Sequence, residues 1–244
     1  MDKKENECGL EKRGNVWVLT LTGDKQHRLN PTLINSLLSI LSKLSSQATP
    51  GSVLLTTAHG RFFSNGFDLP WARAAASPSA AVDRLQSMVD SLKPVAAALM
   101  SLPMPTIAAV NGHASAAGFL LAICHDYMLM RSDHGVLYMP EVDLGLPIPD
   151  YFTAVMRSKI GSAATLRDLL LGGAKVKAAE AVKMGIVDWA HDSTEKVVEA
   201  AMRLGEELAQ RKWVGEVYAD IRKSLYPEAC GVLGLTQKMI VSKI

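Results

Sequence analysis

The feature that most constrains the fold is one continuous stretch, residues 105–149, PTIAAVNGHASAAGFLLAICHDYMLMRSDHGVLYMPEVDLGLPIP. It opens with five apolar or β-branched residues, Thr106–Val110, which predict a buried strand. An Asn-Gly turn follows at 111–112, and then the small residues 113–118. A backbone of Ala and Gly lets a ligand approach closely, because no long side chain lies in its way. The stretch therefore predicts a strand that leads into a ligand-binding loop.

The rest of this stretch predicts a helix start and supplies one carboxylate. We expect a helix to open at about Ala117, a second strand over residues 127–130, and a loop that carries Glu141. The first N–H groups of a helix have no partner within the helix, and they attract negative charge. One segment thus offers an amide able to stabilise an anion and a carboxylate able to act as a base.

Strand and helix patterns alternate along the rest of the chain, which predicts an α/β fold. Residues 15–22 and 52–57 are expected to be strands, and a helix capped by Asn30 and opened by Pro31 lies between them. Residues 71–80 are small, and we expect a mobile connection there. The downstream predictions are helices over 81–102 (kinked or split at Pro94), 151–159, 163–171, 178–184, 193–211 and 213–225, a strand at 185–188, and a last helix after Gly234.

Three motifs resemble the enoyl-CoA hydratase/isomerase (crotonase) superfamily. They are P-x-I-A-A-V-N-G-x-A-x-x-x-G followed by C-x-D at 105–126, P-E-V-x-L-G-L at 140–146, and F-x-N-G-F-D-L at 63–69. They occur in the family's order, and the resemblance extends over residues 14–225. SNGFDLPW and LGLPIPDYFTAVMRSKIG look most like the plant-type peroxisomal delta-3,delta-2-enoyl-CoA isomerases.

The resemblance implies an architecture and an assembly. The fold would be the crotonase (ClpP-like) fold, a repeated ββα superhelix over residues 1–192, followed by a C-terminal helical region over 193–244. In related folds the C-terminal helices form a lid or an oligomer contact. A homotrimer or a dimer of trimers is the expected assembly.

The resemblance also implies catalytic groups. The backbone amides of Phe67 and Ala117 would hold the oxygen of a thioester enolate, and Glu141 would be the base. Apolar neighbours should raise the pKa of Glu141 and make it a stronger base. The structural alternatives are a core aromatic at 67, close packing at 117 and a solvated loop glutamate at 141.

Leu120 bears on the type of reaction. Hydratase-type relatives carry a second glutamate at this position, and leucine cannot hold or polarise water. Chemistry with a single base follows, in which Glu141 moves a proton and a 3-enoyl-CoA becomes a trans-2-enoyl-CoA, as in the oxidation of unsaturated fatty acids. The alternatives are another crotonase-type reaction (enoyl-CoA hydratase, dienoyl-CoA isomerase or decarboxylase) and a non-catalytic CoA- or RNA-binding relative. Where relatives often have Gly-Gly after the glutamate loop, this chain has Asp150-Tyr151.

The expected partner is an acyl-CoA thioester, with no further cofactor. Arg28 is the main candidate for the CoA portion and Lys223 a weaker one, although a solvated arginine would also explain Arg28. The resemblance places the remaining substrate contacts on two loops and one helix: Ser64, Asn65, Gly66, Phe67, Asp68, Leu69, Ala116, Ala117, Gly118 and Leu120.

Composition excludes several other classes. The net charge is only +2 and there is no basic block, which argues against a nucleic-acid surface. The three cysteines lie far apart, and His59, His113 and His125 lack ligand spacing, so we predict no metal. No apolar run reaches the ~18 residues of a membrane span.

The two termini bear on the compartment. The N-terminal residues are polar, which predicts no secretory signal. The last residues, Ser242, Lys243 and Ile244, resemble the peroxisomal signal S-K-L, so we expect a peroxisomal protein, or otherwise a cytoplasmic one.

Overall fold

The computed structural model describes residues 7–236. Within them the strands are β1 (Cys8–Arg13), β2 (Val16–Leu21), β3 (Val53–Ala58), β4 (Phe62–Ser64), β5 (Thr106–Val110), β6 (His113–Ser115), β7 (Tyr127–Arg131), β8 (Leu137–Tyr138) and β9 (Trp189–His191). The helices are α1 (Pro31–Gln47), α2 (Leu69–Arg73), α3 (Pro78–Ser101), α4 (Ala117–Ile123), α5 (Glu141–Leu144), α6 (Asp150–Lys159), α7 (Ala163–Leu170), α8 (Ala178–Lys183), α9 (Thr194–Gln210), α10 (Gly215–Leu225) and α11 (Pro227–Val232).

The chain forms two sheets, and the same repeating unit adds one strand to each of them. The larger has the strand order β1-β2-β3-β5-β7-β9, and the smaller has the order β4-β6-β8. Only the β1–β2 pair is antiparallel among the described strands. The pairs β3/β4, β5/β6 and β7/β8 each give one strand to each sheet before the chain enters a helix. This is the repeated ββα unit of the crotonase fold, and the predicted α/β class is confirmed.

The main sheet is covered on both faces, which explains its nearly continuous apolar strands. Alternate residues of a strand point to opposite faces. One set, which includes Val16, Val53 and Ile107, packs on α9. The other set, which includes Leu19 and Leu54, packs in the larger core with α1, α3 and α4.

Helix α1 forms where the sequence predicts it. The Asn30 side chain accepts a hydrogen bond from the Leu33 amide at 2.9 Å, and Pro31 opens the helix. The leucines of α1 lie along one face and are buried apart from Leu38, which is half-buried. This face holds α1 against α3 and the sheet.

Several short elements depart from the sequence-based prediction. Residues 111–118 were expected to be a turn and loop, but they contain β6, and the 58–69 segment contains β4. Glu141 is not in a loop: it is the first residue of α5. Strands of two or three residues carry no readable alternation, and only their pairing defines them.

Other differences concern helices and sheet edges. Edge strand β1 was missed because its side chains are mostly exposed. Residues 71–80 contain the end of α2 and the start of α3, so the connection between these helices is limited to residues 74–77. Helix α3 continues through Pro94, because the turns on either side of it are buried. The predicted strand at 185–188 lies instead at β9, and α11 was not predicted.

Some predictions concern the ends of the chain. Leu235 and Thr236 are not helical, and the rest of the tail predicted to be a last helix lies outside the described residues. Ser242, Lys243 and Ile244 also lie outside them. None of the helices within residues 7–236 is long and apolar enough to cross a membrane.

Candidate active site

The smaller sheet brings the predicted catalytic groups together. Its three strands are parallel, so their carboxyl ends lie at the same edge. Strand β4 leads to Gly66 and Phe67, β6 leads to Ala116 and Ala117, and β8 leads to Glu141. Three segments that are far apart in sequence therefore meet at one place.

The first two segments are in direct contact. Gly66 has φ +76°, and a β-carbon added to it would lie 3.0 Å from the Ala116 β-carbon and 3.5 Å from the Ala117 nitrogen. Glycine is thus required here both by its backbone conformation and by the space available. The contact places the Phe67 segment next to the Ala117 amide.

The Phe67 amide is directed away from its neighbouring strand. Leu29 N–H donates to the Gly66 carbonyl at 2.8 Å, and Asp68 N–H donates to the Leu29 carbonyl at 3.3 Å. In such a parallel bridge the residue between the two bonds turns its own N–H away from the partner. No acceptor for the Phe67 N–H is found among residues 7–236.

The Ala117 amide is likewise without an acceptor in the described part of the chain. Ala117 is the first residue of α4, so its N–H has no partner within the helix. Ala116 before it has φ +49° and ψ −124°, a conformation that costs ~1–3 kcal/mol for a residue with a β-carbon. Its N–H donates to the Tyr138 carbonyl at 3.0 Å, which fixes this strained residue against β8.

Glu141 is a buried carboxylate. The residue is 7 % exposed, and its Oε2 is buried without a hydrogen-bond partner among the described residues. Burial raises the pKa of Glu141, and a hydrogen bond with its own backbone opposes this effect only in part. The side chain therefore has the raised pKa that the sequence predicts, and it lines the same cavity as Phe67 and Ala116.

A cavity of about 640 Å³ opens at this edge. Its lining is predominantly apolar with a few charged groups, which is typical of a small-molecule site. Of the predicted site residues it is lined by Arg28, Asn65, Phe67, Leu69, Ala116 and Glu141.

Other predicted residues lie behind this wall. The Ser64 hydroxyl donates to the His27 carbonyl at 2.7 Å, and Asp68 caps α2 by accepting from the Trp71 amide at 3.0 Å. A β-carbon on Gly118 would lie 2.3 Å from the Ser64 carbonyl oxygen, so this glycine permits close packing of α4 on β4. Leu120 is buried and, with Gly66 and Ala117, is not among the lining side chains.

The two basic candidates differ. Arg28 lines the cavity and also binds Asp24, to which its backbone N–H and Nη1 donate at 3.1 and 3.3 Å. Lys223 does not line the cavity and is paired with Asp220 at 2.8 Å. Of these two residues, Arg28 alone lines the cavity.

Sequence reasoning missed several lining residues. Asp90 on α3, Tyr138 on β8, and Asp150 and Tyr151 on α6 line the cavity. Five further lining residues share one face of α3, as their helical spacing indicates: Leu85, Gln86, Val89, Asp90 and Lys93. Two further acids, Asp90 and Asp150, therefore share the cavity with Glu141.

The histidines have structural contacts. His125 Nε2 lies 2.8 Å from the Thr56 hydroxyl, and its Nδ1 lies 3.0 Å from the Leu121 carbonyl. His113 packs against the rings of Phe62 and His134. Among residues 7–236, no group of three or more acidic, His or Cys side chains is placed to hold a metal ion.

The repeated ββα architecture, with two adjoining amides and a buried carboxylate at the edge of the smaller sheet, defines a protein of the crotonase class. Comparison with known proteins agrees. The chain matches the family described as "Enoyl-CoA hydratase/isomerase" over residues 11–230.

Individual proteins are similar over nearly the whole chain. It is 60 % identical to "Enoyl-CoA delta isomerase 2, peroxisomal" of Arabidopsis thaliana, over 96 % of this chain and 98 % of that protein. It is 53 % identical to "Enoyl-CoA delta isomerase 1, peroxisomal" of the same plant, over 91 % and 90 %. An apo structure of an enoyl-CoA isomerase from Mycobacterium tuberculosis superposes with a TM-score of 0.83 at 21 % identity, covering 94 % and 95 % of the two chains, and it supports the fold. The chain belongs to the enoyl-CoA hydratase/isomerase family.

Proposed function

We propose that this protein is an enoyl-CoA delta isomerase, which moves the 3-double bond of a cis or trans 3-enoyl-CoA to the trans-2 position during β-oxidation of unsaturated fatty acids. The observation that carries the proposal is the buried Glu141 carboxylate in the same cavity as the Phe67 and Ala116 segments. The named activity of the Arabidopsis relatives supports it.

Glu141 is proposed to act as both base and acid. Its carboxylate removes a proton from C2, and the electron pair of that bond enters a dienolate that extends to the thioester oxygen. The protonated Glu141 then returns the proton to C4, which leaves a double bond between C2 and C3 and a neutral thioester. Atoms and electrons balance without a further reactant, so no cofactor enters the scheme.

The negative oxygen of the dienolate is proposed to be held by the N–H groups of Phe67 and Ala117. Loss of one such donor typically lowers a rate by ~100–1,000-fold. Their lack of acceptors within residues 7–236 supports this role, since donors already bonded to the protein would not be available. The strained Ala116 supports it too, because stored backbone strain clusters at functional sites.

The CoA portion is proposed to lie against Arg28. Arg28 lines the cavity, and a cation is suited to the phosphates of CoA. The apolar side chains that line the remaining wall are suited to a fatty acyl chain.

The test is an isomerase assay with 3-hexenoyl-CoA, monitored by the absorbance of the conjugated thioester. Wild type should turn over, and Glu141→Gln should lose most of its activity because the amide cannot accept the proton. Asp143→Asn is a matched control, since Asp143 is an exposed acid of the same short helix. An inactive wild type, or an unchanged rate in Glu141→Gln, would overturn the proposal.

Competing reactions are tested with other substrates. Addition of water to trans-2-hexenoyl-CoA, measured as 3-hydroxyacyl product, would indicate a hydratase if it matched the isomerase rate. Asp90 and Asp150 give a specific reason to include 3,5-dienoyl-CoA, because proton return at a more distant carbon needs a second acid. Turnover of the dienoyl substrate above that of 3-hexenoyl-CoA would favour dienoyl-CoA isomerisation.

We further propose a peroxisomal location and a homotrimer or dimer of trimers. Two similar Arabidopsis proteins have names that include "peroxisomal". Apolar side chains exposed on α5 and α10, including Val142 and Ile221, are compatible with subunit contacts. Microscopy of a fusion that leaves the C-terminus free, and light scattering of the purified protein, test the two proposals separately.

A further inference from the structure

Tyr151 places a phenol ring in the wall of the cavity. The residue is 2 % exposed, and it lines the cavity at the start of α6. Its bulk therefore reduces the space that a ligand can use.

The ring is fixed at both of its ends. At one end it is attached to the backbone of α6, and at the other its hydroxyl donates to the Val89 carbonyl of α3 at 2.8 Å. A backbone carbonyl has two lone pairs, so Val89 accepts this bond in addition to its helical one. The hydrogen bond connects α6 to α3 across the cavity wall.

Ring contacts lead from the proposed reaction centre to Tyr151. The Phe67 ring lies 6.2 Å from that of Phe152, and the Phe152 ring lies 4.8 Å from that of Tyr151. These three rings, Phe67, Phe152 and Tyr151, form an aromatic wall that ends at Val89. Since the Phe67 amide is the proposed oxyanion donor, the wall extends from the thioester position towards α3.

The rings of this wall suit the acyl chain rather than the nucleotide part of CoA. Burial raises the pKa of the Tyr151 phenol, and its hydroxyl donates to the Val89 carbonyl, so the ring offers phosphates neither a positive charge nor a free donor. In the cavity lining, Phe67, Phe152 and Tyr151 are joined by the apolar Leu85 and Val89. Apolar surface favours contact with methylene groups, so the acyl chain is the part of the substrate that extends along the aromatic wall.

We propose that Tyr151, held by the Val89 carbonyl, is the end wall of the acyl part of the cavity and limits the length of the acyl chain. The proposal rests on the proposed function for its substrate class. A rigid ring at the end of a pocket excludes extra methylene groups by steric contact. Discrimination of a single methylene in an apolar pocket amounts to ~10–200-fold, so the effect is measurable.

The test measures binding as well as turnover. Dissociation constants of saturated C6, C10 and C16 acyl-CoA are measured by calorimetry for wild type, Tyr151→Leu and Tyr151→Phe, together with kcat/KM for the matching 3-enoyl-CoA series. Tyr151→Leu should improve C16 relative to C6 by about tenfold or more. Tyr151→Phe should shift the ratio in the same direction by less, because its ring keeps its size but loses its hydrogen bond.

Tyr226→Phe is the matched control. It also removes one tyrosine hydroxyl, but its ring packs under Lys159 and lies outside the cavity lining. Its C16 to C6 ratio should equal that of wild type. Melting curves confirm that each variant is folded, and Tyr151→Phe retains the ring if Tyr151→Leu does not fold.

The outcomes separate the two proposals. A wild-type ratio in Tyr151→Leu would overturn Tyr151 as the end wall, and a wild-type ratio in Tyr151→Phe would overturn the role of the hydrogen bond. An absence of turnover on every 3-enoyl-CoA would overturn the proposed function, while the binding ratios would still decide the role of Tyr151.

Discussion

Gly66 and Ala116 touch, and the contact leaves no room for a side chain on Gly66. A β-carbon at residue 66 would lie 3.0 Å from both the Ala116 β-carbon and the Ser115 carbonyl oxygen. The Ser115 oxygen belongs to the backbone of β6, which cannot move aside as a flexible side chain could. The relative position of the Phe67 and Ala117 amides therefore depends on this glycine.

Gly66→Ala should lower kcat by about 100-fold, because the two proposed donors would be pushed apart and one of them lost to the oxyanion. The measurement is kcat with 3-hexenoyl-CoA beside a melting curve. Gly60→Ala is a close control, since Gly60 has the same φ of +76° but no atom within 4 Å of an added β-carbon.

The control separates backbone strain from contact. Both variants strain the backbone equally, so both should lose some stability. If Gly60→Ala lowered kcat as strongly as Gly66→Ala, or if Gly66→Ala kept wild-type kcat, the contact between Gly66 and Ala116 would not control the site.

Glu141→Gln should make the protein more stable at neutral pH while it removes activity. Burial raises the pKa of Glu141, so the folded state binds its proton more tightly than the unfolded state does. The ionised carboxylate therefore destabilises the fold once the pH has risen above the folded pKa, and below the unfolded pKa this cost is absent. A neutral amide avoids it.

The measurement is the melting temperature of wild type and Glu141→Gln at pH 7 and at pH 4. A gain of about 1 kcal/mol would raise it by ~2–4 °C for a chain of this size. The gain should be larger at pH 7. A variant that melts lower than wild type at pH 7, or equal gains at both values, would show that the charge of Glu141 is well solvated.

The pH profile of activity should show the same ionisation. Proton removal needs the carboxylate form, so kcat/KM should fall as the solution becomes more acidic. Because the pKa of Glu141 is raised, the midpoint of this fall should lie above the ordinary glutamate value of 4.5. Initial rates between pH 4 and 8, with stability checked at each pH, measure it; a midpoint at or below 4.5 contradicts the raised pKa.

The sequence predicts long and periodic elements well. Asn30 and Pro31 predict helix α1, and an unbroken apolar run predicts β5. The short strands of the smaller sheet are not predicted, since two or three residues carry no period and their partners are far away in the chain. Motif resemblance nevertheless located Phe67, Ala117 and Glu141, which these strands bring together.

Contacts across long sequence distances explain the residues that were missed. The sequence does not predict the contact of Tyr151, because its bond to Val89 joins positions 62 residues apart. Asp126 was part of a motif without an assigned role, and its partner Arg222 is 96 residues away. A single amino-acid sequence on its own gives no signal for such pairs.

The ion pair between Arg222 and Asp126 should account for much of the attachment of α10 to the core. Arg222 Nε and Nη2 each donate to Asp126 at 2.6 Å, and the guanidinium also donates to the carbonyls of Leu102 and Met104 at 2.7 Å. Burial alone would raise the pKa of Asp126, but the charge and hydrogen bonds of Arg222 lower it overall. The pair therefore stabilises the fold at neutral pH, and this contribution is lost as the pH falls through the lowered pKa of Asp126.

Arg222→Met should lower the free energy of unfolding by ~3–5 kcal/mol, because it leaves a buried carboxylate without its cation. Adding Asp126→Asn should restore part of this loss, since the unpaired charge is then gone.

Arg157→Met is the control. Arg157 pairs with Glu228 at 3.3 Å between α6 and α11, but both side chains are exposed, so the loss in the free energy of unfolding should stay below ~1 kcal/mol. Urea unfolding of wild type, Arg222→Met, Asp126→Asn, the double variant and Arg157→Met measures these differences. If Asp126→Asn destabilises the Arg222→Met protein as much as it destabilises wild type, the two residues contribute independently to stability. The attachment of α10 would then depend on its apolar contacts.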